Sequence, residues 1–277
     1  MRSNGGTRDD MLNQLAYYKE TWHLHYDGEP CTTSSGLLQP VLFEGEECML
    51  KIARRERDVR ANELMIWWRG DGAAKVLMHD GLALLMERSK GAVSLVAMAL
   101  NGQDSEASRI ICGVAARLHK HPPPYPGSLL PLDFWFKALP LASAKYGSIF
   151  TECRVIADKL LDDLRDIVAL HGDIHHGNIL DFGERGWLAI DPKGLIGERG
   201  FDYANIFCNP DAAISTRPGR LVGQAVVVAE TAGLDRIRLL QWIAAWAGLS
   251  AAWCISDRED PQKAMSIAKL AIAILGG

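Results

Sequence analysis

The sequence predicts an α+β protein of two lobes, a small β-rich N-terminal lobe followed by a larger, mainly helical C-terminal lobe. Short apolar runs separated by turn signals occupy much of residues 22–53 and 74–86, as in an antiparallel meander. Beyond Gly91 these runs give way to longer stretches with apolar residues at helical spacing. We therefore expect one lobe over residues 1–88 and the other over residues 89–277.

The N-terminal lobe should combine its strands with one long helix. After an amphipathic segment at residues 11–22, strands are predicted at residues 22–26, 37–43, 48–53, 74–78 and 82–86. Val59, Leu64 and Trp67 recur at helical spacing, which predicts the helix over residues 55–69.

The C-terminal lobe should be helical apart from one β-hairpin. Helices are predicted at residues 105–119, through most of 132–170, and at 219–232, 234–256 and 262–275. The hairpin is expected from two short β segments, residues 178–182 and 187–190, which flank the turn at residues 183–186.

Composition favours a protein that acts on a small molecule. The 277 residues are 48% hydrophobic, enough to bury a full core. A formal charge of −4 and a pI near 6.1 give no basic field of the kind that holds nucleic acid or an anionic membrane. A cationic or neutral substrate fits this charge better, and the oligomeric state, monomer or dimer, stays open.

The longest apolar run and the cysteines indicate a cytoplasmic protein without a membrane span. Residues 239–255 are interrupted by Gln241 and Ser250 and fall short of the ~20 residues that cross a bilayer, so they predict a buried core helix. The six cysteines form no Cys-x-x-Cys pair, and the first ten residues are polar, unlike a signal peptide. We expect free thiols in a reducing cytoplasm.

One motif carries the chemistry. The stretch His171-Gly-Asp-Ile-His-His-Gly-Asn178 is followed thirteen residues later by Asp191, at the end of the predicted hairpin. Phosphoryl transfer needs one carboxylate for the attacking hydroxyl and oxygen ligands for Mg²⁺ on the phosphates. Asp173, Asn178 and Asp191 stand at the spacing of those groups in protein kinases.

Two other interpretations of the motif remain open at this point. Asp173 and Asn178 are residue types that often cap helices and turns. His171, His175 and His176 are also good ligands for zinc, although their order differs from the His-x-His-x-Asp-His pattern of a large hydrolase class. We expect His171 to orient the loop through hydrogen bonds, and leave the roles of His175 and His176 open.

The pattern His-Gly-Asp-x-His-x-x-Asn with a later Ile-Asp-Pro resembles the aminoglycoside phosphotransferase and choline kinase group. Residues 67–76, 186–195, 197–207 and 248–253 further resemble the streptomycin 6-kinase type, which is grouped with hydroxyurea-resistance kinases. The resemblance implies a bilobal protein-kinase-like fold that uses ATP, or another nucleoside triphosphate, with Mg²⁺. It also implies that Asp173 is the catalytic base and that Asn178 and Asp191 hold the metal.

A kinase of this type needs a lysine on the phosphates, and Lys51 stands on a predicted strand of the N-terminal lobe. We expect Glu63, on the helix that follows, to hold Lys51 in place. Glu56 and Asp58 remain alternatives for that role.

Two further segments are predicted to bind the nucleotide. The loop of residues 31–36 lies where these kinases cover the phosphates, and the hydroxyls of Ser34 and Ser35 are candidate donors, although such a turn is often only a turn. The segment of residues 87–91, beginning with Glu87 and Arg88, is predicted to be the hinge whose main chain meets adenine.

The resemblance implies an ATP-dependent O-phosphotransferase that modifies an aminoglycoside and so confers antibiotic resistance, with streptomycin phosphorylated at the 6-position of its streptidine ring. Streptomycin carries two guanidinium groups, which pair best with carboxylates. We expect Glu198, Asp202 and Asp257 to supply them, with Glu259 and Asp260 as weaker candidates. Two alternatives remain, a kinase of another small hydroxyl compound such as hydroxyurea or a metabolite, and a non-catalytic nucleotide-binding protein.

Overall fold

An antiparallel sheet of six strands forms the first part of the chain. The computed structural model describes residues 7–33, 35–55 and 58–276. The sheet has the order β1-β3-β4-β6-β5, with β2 paired to the edge of β3. Its elements are α1 (Arg8–Thr21), β1 (His25–Tyr26), β2 (Cys31–Thr32), β3 (Gly36–Phe43), β4 (Glu46–Ala53), α2 (Val59–Trp68), β5 (Val76–Asp80) and β6 (Ala83–Glu87).

Helix α1 closes one face of this sheet. Its apolar residues Met11 and Leu15 pack with Leu37, Leu50 and other inward side chains of the strands in a small core of their own. The capping box at Thr7 and Asp10 starts the helix, because each side chain accepts a hydrogen bond from the other residue's main-chain amide. The β-rich lobe predicted from the sequence is confirmed.

The rest of the chain is mainly helical. Its elements are α3 (Leu95–Leu100), α4 (Asp104–His119), β7 (Leu130–Pro131), α5 (Leu132–Trp135), α6 (Ala138–Tyr146), α7 (Ile149–Asp162), β8 (Ile167–Leu170), β9 (Ile179–Asp181), β10 (Trp187–Ala189), β11 (Leu195–Glu198), α8 (Gly200–Ala204), α9 (Ala212–Ser215), α10 (Arg220–Ala232), α11 (Arg236–Asp257) and α12 (Gln262–Gly276).

Helix α11 forms the centre of the larger core. It packs against α7, α8 and α12, and Trp242 and Ile243 on it are fully buried. In the described part of the chain it is the one helix long and apolar enough to cross a membrane, yet 67% of its apolar window is buried inside the protein. The buried core helix predicted for this run is therefore what the structure contains.

Two small sheets flank the loop that follows β8. Strands β9 and β10 form the predicted antiparallel hairpin. Strand β11 pairs in parallel with β7 and antiparallel with β8. The prediction of helix through residues 167–170 was wrong: four apolar residues are too few for periodicity to separate strand from helix, and the pairing partner lies 25 or more residues along the chain.

The six cysteines are all free, and Cys48, Cys112, Cys153 and Cys208 are buried, as expected for small core residues. The helical region begins after β6 ends at Glu87. We keep the division at residues 88 and 89 as a proposal.

Candidate active site

A cleft of about 780 Å³ lies where the sheet, the N-terminus of α2, the loop after β8 and helix α11 meet. It is lined by residues from both lobes. They include Ser35, Lys51, Asp58, Arg60, Trp135, Asp173, His175, Asp191, Lys193, Asn205, Trp246, Ser250, Trp253, Asp257 and Lys263. Most of the polar groups of the predicted kinase motif are thus gathered in one cavity.

The loop that carries Asp173 is held by buried groups beneath it. Gly172 has a φ of +83°, and a Cβ there would meet Leu195 at 2.7 Å, so this position needs glycine. The imidazole of His171 accepts a hydrogen bond from the Asp173 amide (3.2 Å), and its Nε2 lies 2.8 Å from the Ile190 carbonyl. Burial lowers the pKa of His171 and keeps it neutral, so its Nε2–H donates to Ile190.

Asp173 is fixed by three neighbouring side chains. Its Oδ1 accepts a hydrogen bond from Asn205 (2.9 Å), and its Oδ2 lies 3.0 Å from Nζ of Lys193. Asn178 donates to the Asp173 main-chain carbonyl at 2.9 Å and reaches Oδ2 at 3.4 Å. The indole of Trp246 in turn donates to Oδ1 of Asn205 (3.0 Å), which orients that amide. The carboxylate therefore has one well-defined orientation in the cleft.

The carboxylate of Asp191 is held by two lysines, Lys51 from the N-terminal lobe and Lys193 from its own segment. Its carboxylate accepts from Lys51, whose side chain is only 4% exposed, and from Lys193 at 3.1 Å. Burial works against ionisation here, but the two ammonium groups hold the pKa of Asp191 well below its usual range. The backbone of Asp191 is left-handed (φ 55°), which turns the chain sharply out of the β10 direction.

Glu63 does not hold Lys51, and that prediction was wrong. Glu63 is exposed and accepts a hydrogen bond from Ser128, while Ala61, Leu64 and Met65 are the buried face of α2. Sequence spacing through Val59 and Trp67 placed the inward face about one residue out of phase, which rotates a helix by ~100°. The alternative Asp58 lines the cleft beside Lys51, where burial raises its pKa and Lys51 opposes the rise.

Two of the predicted acceptor carboxylates are structural. Glu198 accepts from Arg238 (2.6 and 2.7 Å) and from the Trp242 indole (2.7 Å), and is 4% exposed. Asp202 accepts from the amides of His171 (2.9 Å) and Gly172 (2.7 Å). Because both carboxylates are buried and their oxygens are occupied by groups of the protein itself, neither can bind a guanidinium group of the acceptor, and their assignment to the acceptor was wrong.

Asp257 lies in the cleft, whereas the side chains of Glu87 and Arg88 lie outside it. Asp257 lines the cleft and is exposed. The side chain of Glu87 accepts from the Lys75 amide and from Arg185, and Arg88 donates to Asp27 (2.6 Å) and Glu47 (2.8 Å). These two side chains brace the end of the sheet outside the cleft, so a nucleotide role for this segment rests on its main chain.

The serine loop is only partly described. Ser35 lines the cleft, and its hydroxyl shares a hydrogen bond with that of Thr33 (3.1 Å). Ser34 lies outside the described residues. The proposed contact between this loop and phosphate stays a prediction.

The three histidines do not form a zinc centre. His171 is committed to its two main-chain partners, His176 is buried with Nε2 3.7 Å from Asp104, and Nδ1 of His175 accepts from the Gly177 amide (3.0 Å). Over residues 7–33, 35–55 and 58–276, no three His, Cys, Asp or Glu side chains are grouped so as to hold a metal ion. The metallohydrolase interpretation is therefore not supported.

The sequence matches the family described as aminoglycoside/hydroxyurea antibiotic resistance kinase over residues 21–258. The chain belongs to this family. Together with the fold, this confirms the predicted small-molecule kinase. Membership of this family explains why the motif around Asp173 and Asp191 resembles that of aminoglycoside phosphotransferases.

Individual relatives and one solved structure agree. The chain is 48% identical to a streptomycin 3″-kinase of Klebsiella pneumoniae, over 86% of this chain and 91% of the relative. It is 29% identical to a streptomycin 6-kinase of Streptomyces glaucescens, over 92% and 85%. Its fold is similar to that of amicoumacin kinase in complex with AMP-PNP and Ca²⁺, with a TM-score of 0.67, 14% identity and coverage of 98% and 96%. The protein-kinase-like fold is thereby confirmed.

Sequence reasoning missed Lys193 and Asn205, which directly contact the carboxylate of Asp173, the predicted base. Lys193 follows Asp191 by two residues and lies in the stretch that carries the family resemblance, but nothing in its spacing assigned it a role. Asn205 is the first residue of a short 3₁₀ helix (Asn205–Cys208), 32 residues from Asp173, and only the fold brings it to that carboxylate. Trp246 falls within the core helix predicted at residues 234–256, and its hydrogen bond to Asn205 likewise depends on the fold.

The donor chemistry fits a magnesium ion. Asp191 presents a carboxylate to the cleft, and the side-chain oxygen of Asn178 accepts no hydrogen bond from the described residues. Hard cations such as Mg²⁺ take oxygen ligands and complete their shell with water and phosphate. Two protein ligands therefore suffice in a kinase, where the nucleotide supplies the others.

Proposed function

We propose that this resistance kinase transfers the γ-phosphoryl group of ATP to a hydroxyl of streptomycin. One observation carries the proposal: Asp173 stands in the cleft between Asn205 and Lys193, in the same cavity as Lys51 and Asp191. The nucleotide analogue bound by the structurally similar amicoumacin kinase supports ATP as the donor. The names of the sequence relatives support streptomycin as the acceptor.

Each residue has a defined task in the transfer. Asp173 accepts the proton of the acceptor hydroxyl and orients its oxygen for in-line attack. Lys51 contacts the α- and β-phosphates. Asn178 and Asp191 would hold Mg²⁺, which would supply positive charge to the phosphate oxygens. Asn205 and Lys193 keep the Asp173 carboxylate in place while the substrates bind.

We favour the 3″-hydroxyl as the site of transfer. The 48% identity to a 3″-kinase supports it more strongly than the 29% identity to a 6-kinase supports the 6-position. The burial of Glu198 and Asp202 also removes two carboxylates that a streptidine ring held next to Asp173 would need. The 6-position remains the second candidate, since two relatives are named streptomycin 6-kinases.

We place the enzyme in the cytoplasm. Its six cysteines are free, as expected where glutathione keeps thiols reduced, and ATP is available there. The acceptor is a small molecule in this proposal, and the oligomeric state is left as monomer or dimer.

The direct test is the structure of the product. The purified protein would be incubated with Mg-ATP and streptomycin, and phosphorus–proton NMR would locate the phosphate. We expect a phosphate monoester at the 3″-oxygen and no turnover of kanamycin or hydroxyurea. A monoester on the streptidine ring would select the second candidate. Streptomycin left unmodified by protein that binds ATP would reject streptomycin as the acceptor.

A further inference from the structure

One face of α11 forms a continuous wall of the cleft. Trp246, Ser250, Trp253 and Asp257 all line the cavity, at intervals of four, three and four residues. This spacing puts them on one side of a helix. At a rise of 1.5 Å per residue, the wall extends roughly 16 Å from Trp246 to Asp257.

The wall starts at the catalytic carboxylate. The Trp246 indole donates to Oδ1 of Asn205 (3.0 Å), and the Asn205 amide donates to Oδ1 of Asp173 (2.9 Å). Trp253 and Asp257 therefore lie progressively farther along α11 from the reacting centre. A ligand that meets Asp173 with one end and follows this wall has its other end near Asp257.

The middle of the wall is aromatic. The rings of Trp253 and Trp135 lie 5.2 Å apart at 76°, and those of Trp253 and Trp246 lie 5.5 Å apart at 80°. Trp135 and Trp253 are only half-buried and line the cleft. Indole is the best aromatic partner for a cation, and a planar guanidinium stacks on it.

The far end of the wall has a carboxylate without a partner. Asp257 is exposed and forms no ion pair and accepts no hydrogen bond in the part of the chain that the structure describes. Lys263 also lines the cleft and carries the opposite charge. The local preference for a cation thus comes from Trp253 and Asp257 and is opposed by Lys263.

We infer that the α11 wall is a subsite for the bis-guanidinium ring of the acceptor, placed away from the hydroxyl that reacts. The inference rests on the proposed function and adds to it the orientation of the acceptor. Streptidine stands at one end of streptomycin, and the sugar with the 3″-hydroxyl stands at the other. With that hydroxyl at Asp173, the guanidinium groups follow α11, stack on Trp253 and reach Asp257.

Streptidine itself is the probe that separates this subsite from the reaction. We expect it to bind the protein in calorimetry, to compete with streptomycin and to receive no phosphate from Mg-ATP. Trp253→Leu should weaken streptidine binding about three- to thirtyfold, and Trp253→Phe should retain most of it. Asp257→Asn should weaken binding about two- to fivefold, and Lys263→Gln should leave it unchanged or strengthen it.

Two controls keep the test specific. Glu259→Gln removes another exposed acid, two residues beyond Asp257, that is not among the cleft-lining residues, and it should leave streptidine affinity unchanged. AMP-PNP affinity and the melting temperature of every variant should match those of the wild type, which shows that the fold is kept.

The outcomes are distinct for the subsite and for the proposed function. Wild-type affinity for streptidine in both Trp253→Leu and Asp257→Asn overturns the subsite, whatever the enzyme does to streptomycin. Phosphorylated streptidine also overturns it, because the ring then occupies the reacting centre. If streptomycin is not a substrate, the proposed function fails, while the streptidine titrations still decide whether the wall binds guanidinium groups.

Discussion

The Nζ atom of Lys193 lies 3.0 Å from Oδ2 of Asp173, so the carboxylate that should take the acceptor's proton has a cation bound to it. The same ammonium lies 3.1 Å from Oδ2 of Asp191. Burial opposes its charge, but the two carboxylates raise the pKa of Lys193 to about 12. Lys193 therefore connects the candidate base to the candidate metal ligand and keeps their like charges from pushing them apart.

Replacing Lys193 by methionine should lower kcat by about 10- to 100-fold, because two charge-assisted hydrogen bonds that position the carboxylates are lost. Lys193→Arg should retain much of the activity, since it keeps the charge. The KM for ATP should change far less than kcat. Steady-state kinetics of both variants check this, with the melting temperature as a control for folding. A kcat for Lys193→Met within twofold of the wild type would contradict the role.

Replacing Asp173 by asparagine should lower kcat by ~10²- to 10⁴-fold, because the group that accepts the proton is gone. The amide keeps the size of the side chain, so affinity for AMP-PNP should stay close to that of the wild type. Product formation and AMP-PNP titration measure the two effects separately. Asp173→Asn with more than half of the wild-type turnover would remove Asp173 from the mechanism.

Local spacing predicted the parts of this site that are close in sequence. Asp173 and Asn178 share one loop, and Asp191 follows the short β9–β10 hairpin directly after it, so their proximity depends on little of the remaining chain. Lys51 was predicted because the motif around Asp173 requires a lysine on a strand of the N-terminal lobe, and Lys51 stands on such a predicted strand. The same kind of reasoning failed for Glu63, where an error of one residue in helix phase turned an exposed side chain inward.

Contacts between distant segments could not be predicted from spacing. Asp202 lies in the short helix α8, and only the fold shows that it accepts a hydrogen bond from a main-chain amide 30 residues earlier. Trp246 of α11 contacts Asn205, and Asn205 contacts Asp173. The sequence predicts that α11 is an apolar helix, but it does not show which segments pack against that helix. Composition and periodicity indicate which faces of helices and strands are buried, but they do not identify the segments that pack against those faces.

Asp202→Asn should destabilise the protein rather than weaken acceptor binding selectively. The carboxylate accepts hydrogen bonds from the amides of His171 and Gly172 and lies 2.8 Å from Nε2 of His119. An amide nitrogen in place of one oxygen would face donors and leave a buried group unsatisfied, at a cost of about 1–3 kcal/mol.

Thermal unfolding of Asp202→Asn should show a melting temperature several degrees below that of the wild type. Asp257→Asn, the matched exposed carboxylate, should unfold like the wild type. An Asp202→Asn protein with wild-type stability and a raised KM for streptomycin alone would restore Asp202 to the acceptor site.

The last prediction concerns a buried ion pair beside the catalytic loop and its dependence on pH. Nε of Arg220 lies 2.7 Å from Oδ2 of Asp104 and its Nη2 lies 3.0 Å from Oδ1, with side chains 4% and 14% exposed. His176 of the catalytic loop approaches the same carboxylate at 3.7 Å. Burial raises the pKa of Asp104, but His176 and Arg220 outweigh it and hold the pKa well below its usual range.

Folding lowers the pKa of this carboxyl group from about 3.9 in the unfolded chain. Its contribution to stability is therefore complete at pH values above that unfolded-state pKa, and it is lost as the pH falls towards the lower pKa of the folded protein. The wild type should therefore lose stability below about pH 5, and the stability difference between the wild type and Asp104→Asn should shrink as pH falls from 7 to 3.

Arg220→Met should lower the free energy of unfolding by about 3–5 kcal/mol at pH 7, because it leaves a buried carboxylate unpaired. The double variant should recover part of that loss. Arg154→Gln, which breaks the exposed pair with Asp158, should cost less than about 1 kcal/mol. Denaturant unfolding at several pH values measures all of these differences. A difference between wild type and Asp104→Asn that stays constant with pH, or an Arg220→Met cost no larger than that of Arg154→Gln, would show that this pair does not stabilise the catalytic loop as an ion pair.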